Sequence, residues 1–346
     1  MPRLSGLIGL LCGLFLVGCG SLNRSPDNLS DVVNQLQLPL QAELADVPFF
    51  SQRQEQCGPA SLATVLNYRQ IKVSAEQLEP LLYIPEKQGT LSIELTAQAR
   101  SHGLLVYPID KQLVPILQEV AAGNPVLVMQ NLGLSWWPQW HFAVIVGYDL
   151  QTRSLLLRSG NEPRRHTPFK SFLNTWSRAE RWGIVIVSAD QIPASAEPTP
   201  YLKAASDLEH QHPEAARQAY VAALNQWSNI AETQRLARLG LANIAYNEQQ
   251  YSIAKRWLAE SPPPLSAVQW NNLGYTLSAL SCPQSALQAV KCAQALQPEA
   301  QEFSQSVTEL SRKSLDLSSR PNADKINGDP VCQIPPCPAQ IAPSEE

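Results

Sequence analysis

The densest chemistry in this sequence lies in one run, Gln52-Arg53-Gln54-Glu55-Gln56-Cys57-Gly58-Pro59-Ala60-Ser61-Leu62-Ala63. Cys57 opens an apolar helical pattern, so its sulfur would sit at the positive end of the helix dipole. That placement favours thiolate over thiol and predicts a depressed pKa. Pro59 fits an early helical position, where no N–H is needed, and Gly58 would let a substrate backbone approach. A Gln amide upstream of a nucleophile can be aimed at the oxyanion of a tetrahedral intermediate, and Gln52, Gln54 and Gln56 all offer one. A lone Cys is more often a small buried hydrophobe, but these flanking residues give Cys57 the local layout of a nucleophile.

A thiol of this kind needs a base. Of the five histidines, only His141 opens a strong strand pattern, His141-Phe142-Ala143-Val144-Ile145-Val146-Gly147-Tyr148-Asp149. His102 ends a helix, His166 falls in a charged loop, and His210 and His212 lie in a helical region. His141 would take the proton of Cys57 and return it to the leaving amine. Just before it stand Trp136, Trp137 and Trp140, which either line a substrate groove or pack as a loop.

The elements that must position this pair follow from periodicity. Helices are expected over 58–68, from Ser74 (with Gln77 as a capping box), over 91–102, 112–122 and 169–179. Strands are expected over 104–109, 125–130, 141–148, 154–158 and 182–188. Helices that precede mostly antiparallel strands indicate an α+β domain.

At 346 residues, with 44% hydrophobic and 16% charged, the chain has room for two globular domains. A net charge of -4 gives no reason to expect a nucleic-acid partner. Residues 1–18 read as a signal peptide. Their apolar stretch is shorter than the roughly 20 residues a spanning helix needs. Leu16-Val17-Gly18-Cys19 resembles a bacterial lipobox, which makes Cys19 the lipidated first residue of the mature chain, with 19–43 as a tether. Gly20, not Asp, follows Cys19, which by likeness to Gram-negative lipoproteins points to the outer membrane, facing the periplasm. Four further cysteines can pair; proximity suggests Cys282 with Cys292 and Cys332 with Cys337. Pro193, Pro198 and Pro200 mark 191–200 as a linker. Trp270, Leu273, Gly274, Ala286, Ala293 and Pro298 fit the tetratricopeptide signature, with weaker units before them, so 201–312 is expected to be an all-α repeat domain that docks a protein partner. Residues 313–346 read as a disordered, Pro-rich tail.

The run from Val47 to Tyr68 and the His141 strand resemble the bacteriocin-processing cysteine peptidases, family thirty-nine of that class, which cleave after double-glycine leaders. The chain is also similar to their lipoprotein relatives that carry tetratricopeptide repeats. The resemblance covers roughly 44–188, within a domain read as 44–190, and implies a papain-like α+β fold, Cys57 and His141 as catalytic pair, Gln52 as oxyanion donor and a peptide substrate; neither cofactor nor metal is expected. The family's usual Asp after the next strand is missing; Arg158-Ser159-Gly160-Asn161 stands there. An amide oxygen accepts better than a hydroxyl, so Asn161 is the expected orienter of His141, with Ser159 as the other candidate. The missing carboxylate keeps a catalytically weak or inactive peptide-binding adaptor as a rival reading, and a cell-wall amide hydrolase on the same scaffold is a third.

Overall fold

The computed structural model describes residues 33, 35–51, 56–84, 89–318 and 330–338. Up to Leu38 the described residues form a single turn, closed by the Leu38 amide on the Val33 carbonyl. Pro39 to Glu346 makes one unit. Among the described residues no helix is long and apolar enough to cross a membrane.

Seven strands build one antiparallel sheet: β1 (Gln41–Glu43), β2 (Leu105–Pro108), β3 (Val126–Asn131), β4 (Trp140–Asp149), β5 (Ser154–Ser159), β6 (Glu162–Pro168) and β7 (Gly183–Val187). Their order is β2-β7-β3-β4-β5-β6, and β1 pairs with the far end of β4. β6 was expected to be a charged loop. Its sequence, Glu-Pro-Arg-Arg-His-Thr-Pro, has no apolar alternation because it is a solvent-exposed edge strand, the position where charge is favoured. Alternation along β4 sorts its side chains between two faces. Phe142, Val144 and Val146 pack in one core with α1 (Cys57–Tyr68), α2 (Ala75–Leu82) and α3 (Ser92–Arg100). On the other face Gln130, in register with His141, bonds Thr175 of α5 (Phe169–Ser177) at 2.6 Å. The expected capping box forms: the Gln77 amide donates to Ser74 Oγ at 3.3 Å and the Ser74 amide to Gln77 Oε1 at 2.8 Å.

Six helices follow as three successive pairs: α6 (Pro198–Ser206) with α7 (Pro213–Gln226), α8 (Ala231–Asn247) with α9 (Tyr251–Ala259), and α10 (Ala267–Ala279) with α11 (Pro283–Leu296); α12 (Gln301–Ser318) closes the stack. Gly274 permits a close approach of α10 to α11. A Cβ there would stand 2.5 Å from Val290 Cγ1 and 3.0 Å from the Ala286 carbonyl.

Three expectations for this half are corrected. Residues 191–200 do not run free: Ser195 donates to Glu119 of α4 (Leu113–Ala121) through its amide at 2.7 Å and its hydroxyl at 2.6 Å. The Glu197 amide meets Tyr107 Oη at 3.0 Å, and Pro198 already starts α6. The disulfides are Cys282–Cys332 and Cys292–Cys337, with Cα separations of 5.4 and 5.9 Å. Cys282 caps α11 and Cys292 lies within it, so ten residues at about 1.5 Å rise hold them some 15 Å apart, beyond bonding reach. The tail is thus ordered in part: α12 continues past residue 312, and Cys332 and Cys337 are buried in the core of the helical half with Val331 and Ile334 against them.

Candidate active site

Cys57 is the first residue of α1 and the free cysteine among the described residues. Its sulfur is half-buried, and the backbone amides of Phe142, Gly58 and Cys57 itself lie near enough to favour its charged form. The ladder between β4 and β5 ends at the Val144–Arg158 rung, so Phe142 lies past the last paired residue on that side. The thiol therefore stands alongside the start of β4, against the residue that follows His141.

His141 is half-buried, and its Nε2 lies 2.8 Å from Ser159 Oγ. Nε2 can donate to the hydroxyl, which leaves Nδ1 carrying the lone pair that a base needs. Asn161 does not reach the ring. Gly160 adopts φ +60 and reverses the chain after β5, which leaves Asn161 exposed in the turn, where its Oδ1 accepts from Ser51 Oγ at 2.6 Å. Ser159, and not the expected Asn161, therefore stands at the ring: strand alternation puts the last residue of β5 on the face of His141, and the turn takes Asn161 away.

The pair is electrically neutral at rest. Burial pushes the Cys57 thiol up, and the three backbone amides only partly offset it. The expected depression is corrected on that ground: the helix N-terminus does act on the sulfur, but desolvation outweighs it. Burial lowers His141 to about 4, and the positive charge of Arg165 on β6 adds to the effect. At neutral pH both groups carry no charge, so the imidazole would work as a general base during attack and not as half of a preformed ion pair.

The remaining residues fall as follows. Gln56 commits its amide to Glu79 Oε2 at 2.7 Å, which takes it out of the oxyanion role. Gln52, Gln54 and Cys19 lie outside the described residues. Gly58 does not open a path for substrate. A Cβ there would stand 2.6 Å from Thr90 Cβ and Oγ1, so the glycine admits Thr90 beside the nucleophile. Thr90 and Arg165 went unnoticed in the sequence, because a side chain packed across 32 residues and a charge on an edge strand leave no periodic mark.

An α+β sheet domain whose helix-start cysteine lies at the backbone of the residue after a strand histidine has the layout of a cysteine peptidase. The comparisons agree with that class: residues 44–184 match the profile of the Peptidase_C39 like family, which bears out the resemblance over that segment. No curated protein matches the chain. Among solved structures, it is similar to a C39-like peptidase from Bacillus anthracis, with 19% identity, a TM-score of 0.38, and coverage of 42% of this chain and 97% of that one. A double glycine motif protease from an AMS/PCAT transporter, in complex with the leader peptide, shows 20% identity, a TM-score of 0.32, and coverage of 43% and 97%. The peptidase domain of Streptococcus ComA, a bifunctional ABC transporter of a quorum-sensing pathway, shows 18% identity, a TM-score of 0.33, and coverage of 41% and 98%.

Proposed function

We propose that this chain is a lipid-anchored cysteine peptidase of the bacterial envelope, with Cys57 as nucleophile, His141 as base and Ser159 as the residue that orients it. The thiol loses its proton to Nδ1 of His141 as the C–S bond forms on the scissile carbonyl. The imidazolium then protonates the leaving amine, and water hydrolyses the resulting thioester by the same base. The amides at the start of α1 face the nucleophile, and Gln52 is the candidate side-chain donor to the oxyanion. The observation that carries this reading is the placement of the Cys57 sulfur on the Phe142 amide while the neighbouring His141 has its far nitrogen bonded to Ser159.

Cys19 would carry the lipid and hold the protein at the outer membrane, on the periplasmic side. Two disulfides among the other cysteines suit an oxidising compartment. The helix pairs are read as tetratricopeptide repeats that dock a protein partner or substrate. In support, a groove of about 360 Å³ between helices is lined by Glu209, Asn243, Tyr246, Asn247, Asn272 and Tyr275. One observation favours the rival reading of a weak or inactive adaptor: His141 has a hydroxyl where a carboxylate would stabilise its charged form. Both are tested by incubating the full chain with a peptide library and with an alkylating activity probe. Hydrolysis that disappears in Cys57→Ala supports the peptidase. Library binding with no cleavage by the wild type would establish the adaptor.

A further inference from the structure

The hairpin between β3 and β4 is built firmly, yet it turns its largest side chains to solvent. Trp136 is 78% exposed, Trp137 67% and Trp140 54%, with Leu134 beside them at 56%. The open question of groove or packed loop is decided against packing. Nor is the hairpin loose. Leu134 and Trp137 exchange backbone hydrogen bonds at 3.1 Å each way. The Asn131 side chain accepts from the amides of Gly133 and Gln139, both at 2.9 Å. The Arg178 guanidinium forks onto the Asn131 carbonyl at 3.2 and 2.9 Å. Trp136 and Trp137 stand edge to face, 6.3 Å between centroids. Aromatic surface held rigid before any partner arrives binds at low entropic cost.

Its location names the occupant. Trp140 is two residues before Phe142, so alternation puts both on the face that packs α1. Phe142 touches the nucleophile through its amide, and its ring meets Trp182 edge to face at 5.7 Å. Phe50, Met129 and Trp182, all partly buried, border the same cluster as Cys57. Trp140 therefore stands two residues along β4, about 7 Å by strand rise, from the amide that lies at the nucleophile, on the face that carries this apolar cluster.

We propose that Trp140, with Trp136 and Trp137 beyond it, is the specificity site for an apolar side chain of the peptide substrate close to the scissile bond. This rests on the peptidase reading, and the test separates the two. Cleavage of a mixed peptide library by the full chain is profiled by mass spectrometry for wild type, Trp140→Ala, Trp140→Phe and the Trp136→Ala/Trp137→Ala double variant. Binding of one apolar peptide and its Ser-substituted twin to Cys57→Ala is followed by tryptophan fluorescence, with and without Trp140→Ala. Wild type should prefer a large apolar residue near the cut. Trp140→Ala should lose roughly 10- to 100-fold in kcat/KM on such peptides, mainly through KM, the size expected for exposing one large side chain. Trp140→Phe should recover most of it, and peptides with polar residues there should change little. Binding to Cys57→Ala that needs Trp140, with no cleavage by wild type, would retain the site and discard the peptidase. Cleavage without an apolar preference, or an unchanged preference in Trp140→Ala, would overturn the site and leave the peptidase standing. If vesicles of anionic phospholipid bind the wild type but not the double variant, and kcat/KM does not move in any Trp variant, the surface serves a membrane and the proposal is wrong.

Discussion

Placing a carboxylate where Ser159 stands should convert a neutral catalytic pair into an ionic one. Ser159 Oγ is 2.8 Å from His141 Nε2, and no carboxylate is among the groups that shift His141. In Ser159→Asp an anion would lie about 3–4 Å from the ring. At an effective dielectric of about 20, two charges at about 4 Å attract by roughly 4 kcal/mol. Part of that is spent on desolvating the new carboxylate, and a neighbouring opposite charge typically moves a pKa by about 1–3 units. His141 should therefore rise from about 4 to somewhere near 5–7. The imidazolium then persists into the range where it can draw the thiol pKa down. The assay is alkylation of Cys57 by iodoacetamide as a function of pH, read by mass spectrometry on the tryptic peptide. In the wild type the rate should climb only on the alkaline side, following the raised thiol. Ser159→Asp should add an earlier phase between about pH 5 and 7, tracking the imidazolium–thiolate pair. The reasoning is refuted if the wild type already shows a plateau near neutral pH, since that would mean an ion pair exists without the carboxylate. Superimposable profiles for the two proteins would refute it as well.

Further outcomes follow from the same geometry. In peptide hydrolysis, Ser159→Ala should lower turnover roughly 10- to 1,000-fold, as expected for loss of the tautomer-holding contact, while Asn161→Ala should do much less because it touches Ser51 and not the ring. The acid limb of kcat/KM in the wild type should lie near pH 4 and not near 6.5, because the base form of His141 is available at any pH above its lowered value; a limb at 6.5 would contradict the burial argument. Non-reducing peptide mapping should recover the Cys282–Cys332 and Cys292–Cys337 pairs, and opening either by a Ser substitution should destabilise the repeats by up to about 4 kcal/mol in a chain-entropy reckoning for loops of this length. Glu119→Ala should destabilise the full chain in urea by about 2–4 kcal/mol, since it leaves the Asn124 amide and both donors of Ser195 without their acceptor.

Much of the catalytic half was legible because its signals are local. Each periodic run from 58 to 188 became an element within about three residues of its expected ends. The Cys57 helix start and the His141 strand start were both visible for that reason. What was missed depends on how distant segments meet. The choice between Ser159 and Asn161 turns on a single residue, Gly160, whose positive φ ends the strand face between them. The thiol pKa was read from the helix dipole, a property of the segment, whereas its direction is set by burial, a property of the whole cleft. Pairing the cysteines by sequence distance failed because α11 is rigid: a helix separates near neighbours in sequence and lets residues some 45 and 50 positions away close the bonds.

The contacts at the former linker also decide how the two halves can act on one substrate. Arg69 donates to Asn124 Oδ1 at 2.7 Å, Asn124 donates to Glu119 at 2.7 Å, and Glu119 holds both donors of Ser195. Tyr201 of α6 bonds the carbonyls of Ala189 and Gln191, both at 3.3 Å, and Arg100 of α3 pairs with Asp207 at 2.5 Å. Glu119 is fully buried, so the contacts it makes are shielded from water and expensive to break. A freely jointed repeat domain would raise the local concentration of any captured peptide over a wide volume, with no preferred cut site. A domain fixed through α4, α6 and the segment between β7 and α6 instead sets one distance from its groove to Cys57. Under the proposed function, the repeats then act as a ruler: a substrate held between the helices would present to the thiol only those bonds that lie at the matching separation along its chain.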